Sequence, residues 1–214
     1  MTNERRFGAL PLLILVSFSA TCTLAQSPAP TGIEQAGGGR AERVSSSACA
    51  VDARKEAMAL QILLHSVRRQ ITSVAEAMPA DKYSFQPTEG EFKGVRTFGQ
   101  QVKHLAATNE ILAAAALGEA APAEVGDETG PENVRTKAEI LAYLSASFSY
   151  LDRGIDALGH SEIRVKASPI SPLKESEITR ESLIVEAMVH AFDHYGQMVE
   201  YLRMNGVVPP ASLP

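Results

Sequence analysis

The chain has 214 residues, room for one ordinary domain with appendages, and its 45% hydrophobic and 21% charged residues exclude a disordered or collagen-like polymer. It has no tryptophan and only 6% aromatic residues, so a core must be built mainly from Leu, Ile, Val, Ala and Met. A formal charge of −5 offers no basic excess to neutralise phosphates, which argues against nucleic acid as a partner, and two cysteines cannot staple a disulfide scaffold.

Residues 1–25 have the three-part layout of a secretory signal peptide. Arg5 and Arg6 precede an apolar run that is densest over residues 9–16. Ser17, Ser19, Thr21 and Thr23 dilute it, and Thr23-Leu24-Ala25 places small residues before a cut at Gln26. The dense run falls well short of the roughly 20 apolar residues that span a bilayer, and Pro11 interrupts it, which disfavours an uncleaved anchor. A lipid anchor on Cys22 is the competing reading, but Ser19-Ala20-Thr21 matches a lipobox badly. The expected product is periplasmic or secreted, touching membrane only through the signal peptide or that anchor. Cys49 is then the sole cysteine, and no internal disulfide can form. Residues 26–51 contain SPAPTG, AGGGR and SSS, breakers and small polar groups without apolar period, and predict a disordered linker.

Four helical patterns fill residues 52–208, followed by a tail at 209–214. The first runs over 53–78, where Ala57, Leu60, Leu64, Val67, Ile71, Val74 and Met78 recur at alternating spacings of three and four, until Pro79 stops it. The second opens on the capping box Thr97-Phe98-Gly99-Gln100, carries Phe98, Val102, Leu105, Leu112 and Ala116 on one face, and stops at Gly118. The third opens on a second box at Thr136–Glu139, lines up Leu141, Leu144, Phe148, Leu151, Ile155 and Leu158, and closes at Gly159. The fourth runs from about Thr179 to Asn205-Gly206 along Leu183, Ala187, Ala191, Met198 and Leu202. Only residues 162–166 alternate like a strand, and one short strand has no partner, so the expectation there is loop. The fold class is all-α, a four-helix bundle. The links before the second and fourth helices are long, as links that cover a functional mouth often are, and Tyr83 and Phe85 in the first of them can pack over an end of the bundle.

The chemistry is in three of five histidines. His190 and His194, four apart, share a helix face, where two imidazoles can hold one metal ion. By helical angle both point toward the bundle interior, beside Ala187 and Ala191. Buried rings without partners cost a few kcal/mol each, so they need a metal, a carboxylate or water. His104 borders the apolar face of the second helix and can add a ligand from a facing helix. The bland alternative is a pair of hydrogen-bonded core histidines. His65 faces away from its helix's stripe, and His160 follows the Gly159 stop. The sequence from His190 to His194 is not HExxH, so a metalloprotease reading lacks its general base. Gln197, Tyr201, Thr108 and Glu186 lie close enough by angle to support the histidines. Catalytic residues are not readable.

RTFGQQVKHLAATNEIL with His104, VEAMVHAFDHYGQMVEYLRMNG with His190 and His194, and MPADKYSFQP between the first two helices resemble the DinB-like superfamily over about residues 55–208. The resemblance implies a bundle of up-up-down-down type and a divalent ion (zinc, nickel, manganese or iron) held by His104, His190 and His194. It also implies, in many members, a homodimer. Relatives include thiol-dependent S-transferases, a maleylpyruvate isomerase using a low-molecular-weight thiol, and a domain of sulfoxide synthases. The implied function is a metal-dependent enzyme of hydrolase or thiol/group-transferase type acting on a small molecule, the alternative being a non-catalytic metal-binding or interaction module. The exporting leader is where this chain departs from the pattern.

Overall fold

Three threonines set where helices begin. Thr97, Thr136 and Thr179 each accept a hydrogen bond from the amide three residues on, and the side chains of Gln100, Glu139 and Ser182 return the bond to the threonine amides. Each box satisfies donors that a helix start leaves orphaned. The computed structural model describes residues 38–158, 164–166, 168 and 170–214, with side chains from Val51 onward except Asp52 and Ala53. Its long helices are α1 (Gly38–Ala77), α2 (Phe98–Leu117), α3 (Lys137–Asp156) and α4 (Arg180–Met204), and no strand occurs among the described residues. Arg164 makes one isolated antiparallel bridge to Thr179, in keeping with the loop expected there. The signal peptide, Cys22, the first part of the linker, Gly159 and His160 lie outside the described residues.

The apolar stripes become one core. Leu64, Val67, Ile71, Val74 and Met78 of the α1 stripe meet Val102, Leu105 and Leu112, Leu144, Phe148, Leu151 and Ile155, and Leu183, Ala187, Ala191, Met198 and Leu202. Helix α2 stops at Gly118 because the left-handed φ of 74° there is one that glycine adopts without Cβ strain. The α1–α2 link closes one end. Tyr83 is buried, donates its hydroxyl to the Ala75 carbonyl at 2.7 Å and stands edge-on to Phe98, while Phe85 stands edge-on to Tyr201.

The helix directions differ from the expected order. Arg68 pairs with Asp152, and Lys137 donates to the Met78 carbonyl, so α1 and α3 are antiparallel. Asn109 with Ser147 and Glu119 with Arg153 make α2 and α3 parallel. Gln101 with Gln197 and Arg180 with the Ala116 carbonyl make α2 and α4 antiparallel. The order is therefore up-down-down-up, not up-up-down-down. The physical reason lies in the links. Those before α2 and α4 begin and end at the same bundle end, as the bonds Phe98 N to Phe85 O and Arg180 to the Ala157 carbonyl require. The link between α2 and α3 has to travel the bundle's length, about 30 Å for a 20-residue helix.

The described structure also extends past the expected helices at both ends. Helix α1 is described from Gly38, inside the expected linker. Once a helix is nucleated on a core, each added residue gains a hydrogen bond without a second nucleation cost, and Ala, Glu and Arg after Gly39 extend it well. The tail is folded as well: Pro209 is buried and the short turn Pro210–Ser212 packs on α1. Ala57 and Leu60 are the earliest α1 residues packed on the core cluster among those with described side chains. Deleting residues 26–51 should therefore lower the helical circular dichroism signal while leaving the thermal midpoint within a few degrees. A large drop in the midpoint would place part of the core before Val51.

Candidate metal centre

Antiparallel packing of α2 against α4 brings His104 to His190 and His194. One turn of α4 separates His190 from His194, so both rings lean over the same stretch of α2. The three Nε2 atoms converge: His190 lies 3.3 Å from His104 and 3.0 Å from His194. The rings meet edge to face, with centroids 4.4–5.1 Å apart. His104 and His194 are only 4% and 6% exposed, and His190 is half-buried, which opens the cluster on the His190 side. Ala187 and Ala191 are fully buried beside them and leave the room that larger side chains would fill.

The protonation chemistry decides what this triangle can hold. Burial lowers the His104 pKa. Burial, reinforced by the His104 charge, pushes His190 down to about 4, and burial with the His190 and His104 charges pushes His194 down to about 3. At neutral pH the three rings are therefore uncharged, with lone pairs available. Three Nε2 atoms facing one another cannot all be satisfied by hydrogen bonds among themselves, because each shared bond needs one ring as donor. A divalent cation accepts all three lone pairs at once. Coordination through Nε2 leaves the proton on Nδ1, and His104 Nδ1 donates to the Glu128 carbonyl at 3.0 Å, with the Glu128 carboxylate at 3.6 Å. Such outer partners fix the ring and raise its basicity. The Nδ1 atoms of His190 and His194 are buried with no protein partner. Among the described residues, these three side chains form the one cluster of His, Cys, Asp or Glu whose donor atoms can share an ion, all within 4.8 Å.

Glu128 is the residue that sequence reasoning missed. It comes from the α2–α3 link, which the bundle's topology carries along α2. Its φ of 71° is unusual for a residue with Cβ, a strain of about 1 kcal/mol that holds the carbonyl toward His104. The weak signal in the sequence is the flanking Gly126 and Gly130, which also have positive φ. The same link sends Val125 against Ala107 and Ile111, joined by Ile170 from the α3–α4 link, in an apolar cluster that begins one turn beyond His104 on α2.

The other anticipated supporters sit elsewhere in the network. Gln197 accepts from Gln101 at 2.6 Å and donates to Asp193 at 3.0 Å, which leaves Asp193 exposed and off the ligand set. Tyr201 donates to the Arg96 carbonyl, and Glu186 accepts from Ser171. The Thr108 hydroxyl is buried without a partner. His65 is exposed on α1, as expected.

A family model described as the DinB superfamily matches residues 63–198. Among solved structures, the chain is similar to one from Exiguobacterium sibiricum 255-15 ascribed to the DinB family, at 17% identity and a TM-score of 0.53, over 71% of this chain and 92% of that one. That likeness is one of fold. No match is found among curated proteins.

Two outcomes test the centre. Glu128→Gly relieves the left-handed strain but removes the carboxylate, so apo stability should not fall while metal affinity weakens roughly tenfold by calorimetric titration. The second concerns acid. The unfolded chain takes up protons on its histidines near pH 6.5, whereas the folded apo protein resists until far lower pH. Stability therefore rises with pH across that window and is lost as pH falls from about 6.5 toward 4. The melting temperature of apo protein should drop over this range, and less steeply in His194→Gln.

Proposed function

This chain belongs to the DinB superfamily, and from that premise we propose that it is an exported metal-dependent enzyme of hydrolase or group-transferase type. The observation that carries the reading is the convergence of three neutral imidazoles with no fourth protein donor in their cluster among the described residues. Three ligands with a free position are the pattern of catalytic rather than structural sites. When bound, a divalent ion supplies Lewis-acid polarisation and lowers the pKa of a coordinated water or thiol toward neutrality.

The protein's own residues do the rest. His104, held by Glu128, fixes one arm of the site. The apolar cluster of Ala107, Ile111, Val125 and Ile170, which begins one turn beyond His104, would keep that flank of the site dry and so strengthen electrostatic interactions there. The half-buried His190 marks the side from which a small molecule reaches the ligands. A second reading, an ion that only pins α2 to α4, is favoured by the ligands coming from both helices. Export rests on the composition of residues 1–25 and predicts a secreted form whose intact mass starts near Gln26.

The test begins with metal analysis of protein purified from its own host. Stoichiometric zinc, nickel, manganese or iron is expected, with affinity falling by orders of magnitude in His104→Ala, His190→Ala and His194→Ala and unchanged in His65→Ala. The loaded protein is then screened against esters, phosphoesters and thiol acceptors with and without chelator. Chelator-sensitive turnover lost in His190→Ala supports the enzyme. Stoichiometric metal with a coordination sphere closed to added anions supports the pinning role instead.

A further inference from the structure

The groove between α2 and α4 continues past the histidines. Gln101 pairs with Gln197 on one side of them and Arg180 with the Ala116 carbonyl on the other. In this antiparallel register the turn of α2 after His104 faces the turn of α4 before His190. Thr108 stands four residues after His104, on the face that His104 presents to His190. Glu186 stands four residues before His190, on the same edge of α4. The α3–α4 link spans both helices at this level. Ile170 packs against Ala107 and Ile111 of α2, and the next residue, Ser171, donates its hydroxyl to the Glu186 carboxylate at 2.7 Å.

This layer, one turn from the histidines, is short of donors. Thr108 is only 4% exposed, and its hydroxyl has no partner among the described residues. The buried Ser168 hydroxyl, in the turn that the Ser171 amide closes onto the Ser168 carbonyl, is equally unpartnered. Glu186 is half-buried, and the Ser171 bond occupies one of its two oxygens. No Lys, Arg or His stands against that carboxylate among the described residues. Burial raises its pKa, as it does where no cation compensates lost water. Glu186 is not an ion ligand, since the cluster that can share an ion consists of the three histidines. A free carboxylate oxygen and a buried hydroxyl on facing turns are satisfied together by a compact cation with several N–H donors. An ammonium has three donors and no acceptor, and its bonds to a carboxylate are charge-assisted.

We propose that Glu186, together with Thr108, binds an ammonium group of the substrate, so that the molecules handled at the histidine centre are small amines whose nitrogen is seated one helical turn from the ion. This rests on the metal-enzyme reading and specifies its substrate class. Glu186 discriminates between substrates and offsets the repulsion between ion and ammonium, while the histidines and their ion meet the reacting group.

The experiment uses cobalt-loaded protein, whose absorption reports ligands entering the coordination sphere. Hydroxamates are the probes, because they grip such an ion through their own oxygens. β-Alanine hydroxamate and 4-aminobutyrohydroxamate carry an ammonium at two reaches, and butyrohydroxamate and pentanohydroxamate are their uncharged counterparts of equal length. Wild type should bind the amine of at least one pair roughly tenfold or more tightly than its counterpart, as a charge-assisted contact predicts. Glu186→Gln should lose that preference while keeping its affinity for cobalt and for the uncharged hydroxamates. Glu186→Asp should recover part of it, and Thr108→Val should reduce it by a smaller factor. If cobalt binds but wild type shows no preference within either pair, or Glu186→Gln keeps the wild-type preference, the proposal is overturned and the metal centre stands. If cobalt does not bind at all, the metal reading fails and this one with it.

Discussion

Everything distinctive about this molecule follows from three imidazole rings desolvated at one point of an otherwise apolar helix interface. Desolvation keeps them neutral, and neutrality makes them ligands rather than cations. The same desolvation makes the apo arrangement expensive, since two buried Nδ1 atoms and three crowded Nε2 atoms lack adequate partners. The surrounding core is correspondingly plain. It consists of aliphatic stripes whose fit sets α2 antiparallel to α4 and so decides which turn of one helix faces which turn of the other. A slip of one turn between these helices would carry His104 about 5 Å from the pair.

Chain topology contributes as much as packing. Because α2 and α3 run the same way, their link must return along the bundle, and it does so across the face of α2 that holds His104. This crossing segment supplies Glu128 and Val125 to the site. The links before α2 and α4, whose length first suggested a cover for the mouth, have different duties. One closes the bundle end with Tyr83 and Phe85, and the other contributes Ile170 to the apolar cluster. Loop length alone marks where chain is available, not which surface it covers.

The helices and the ligands were legible in the sequence for the same reason: both are periodic. Spacings of three and four define a buried face, and His190 and His194 obey that rhythm beside Ala187 and Ala191. The stripe residues of α2 and α4 are all buried, and the boxes at Thr97 and Thr136 form as read. What could not be read is non-periodic. Glu128 acts through its backbone in a left-handed turn, a property of chain path that no residue type announces. Helix directions depend on which stripes pair, and four similar aliphatic stripes do not encode their neighbours. The start of α1 was missed because serines and glycines suggest coil, whereas a helix already anchored at Leu60 and Leu64 propagates through them.

The hydrogen bond from His104 to a main-chain carbonyl divides the site into unequal parts. That acceptor belongs to the backbone, so side-chain replacement at position 128 cannot delete it, and the His104 ring is locked in orientation by the course of the chain. His190 and His194 have no such protein partner on Nδ1, so their orientation is set by packing within the cluster. One arm of the triangle is thus set by the path of the main chain, and the other two by side-chain packing alone.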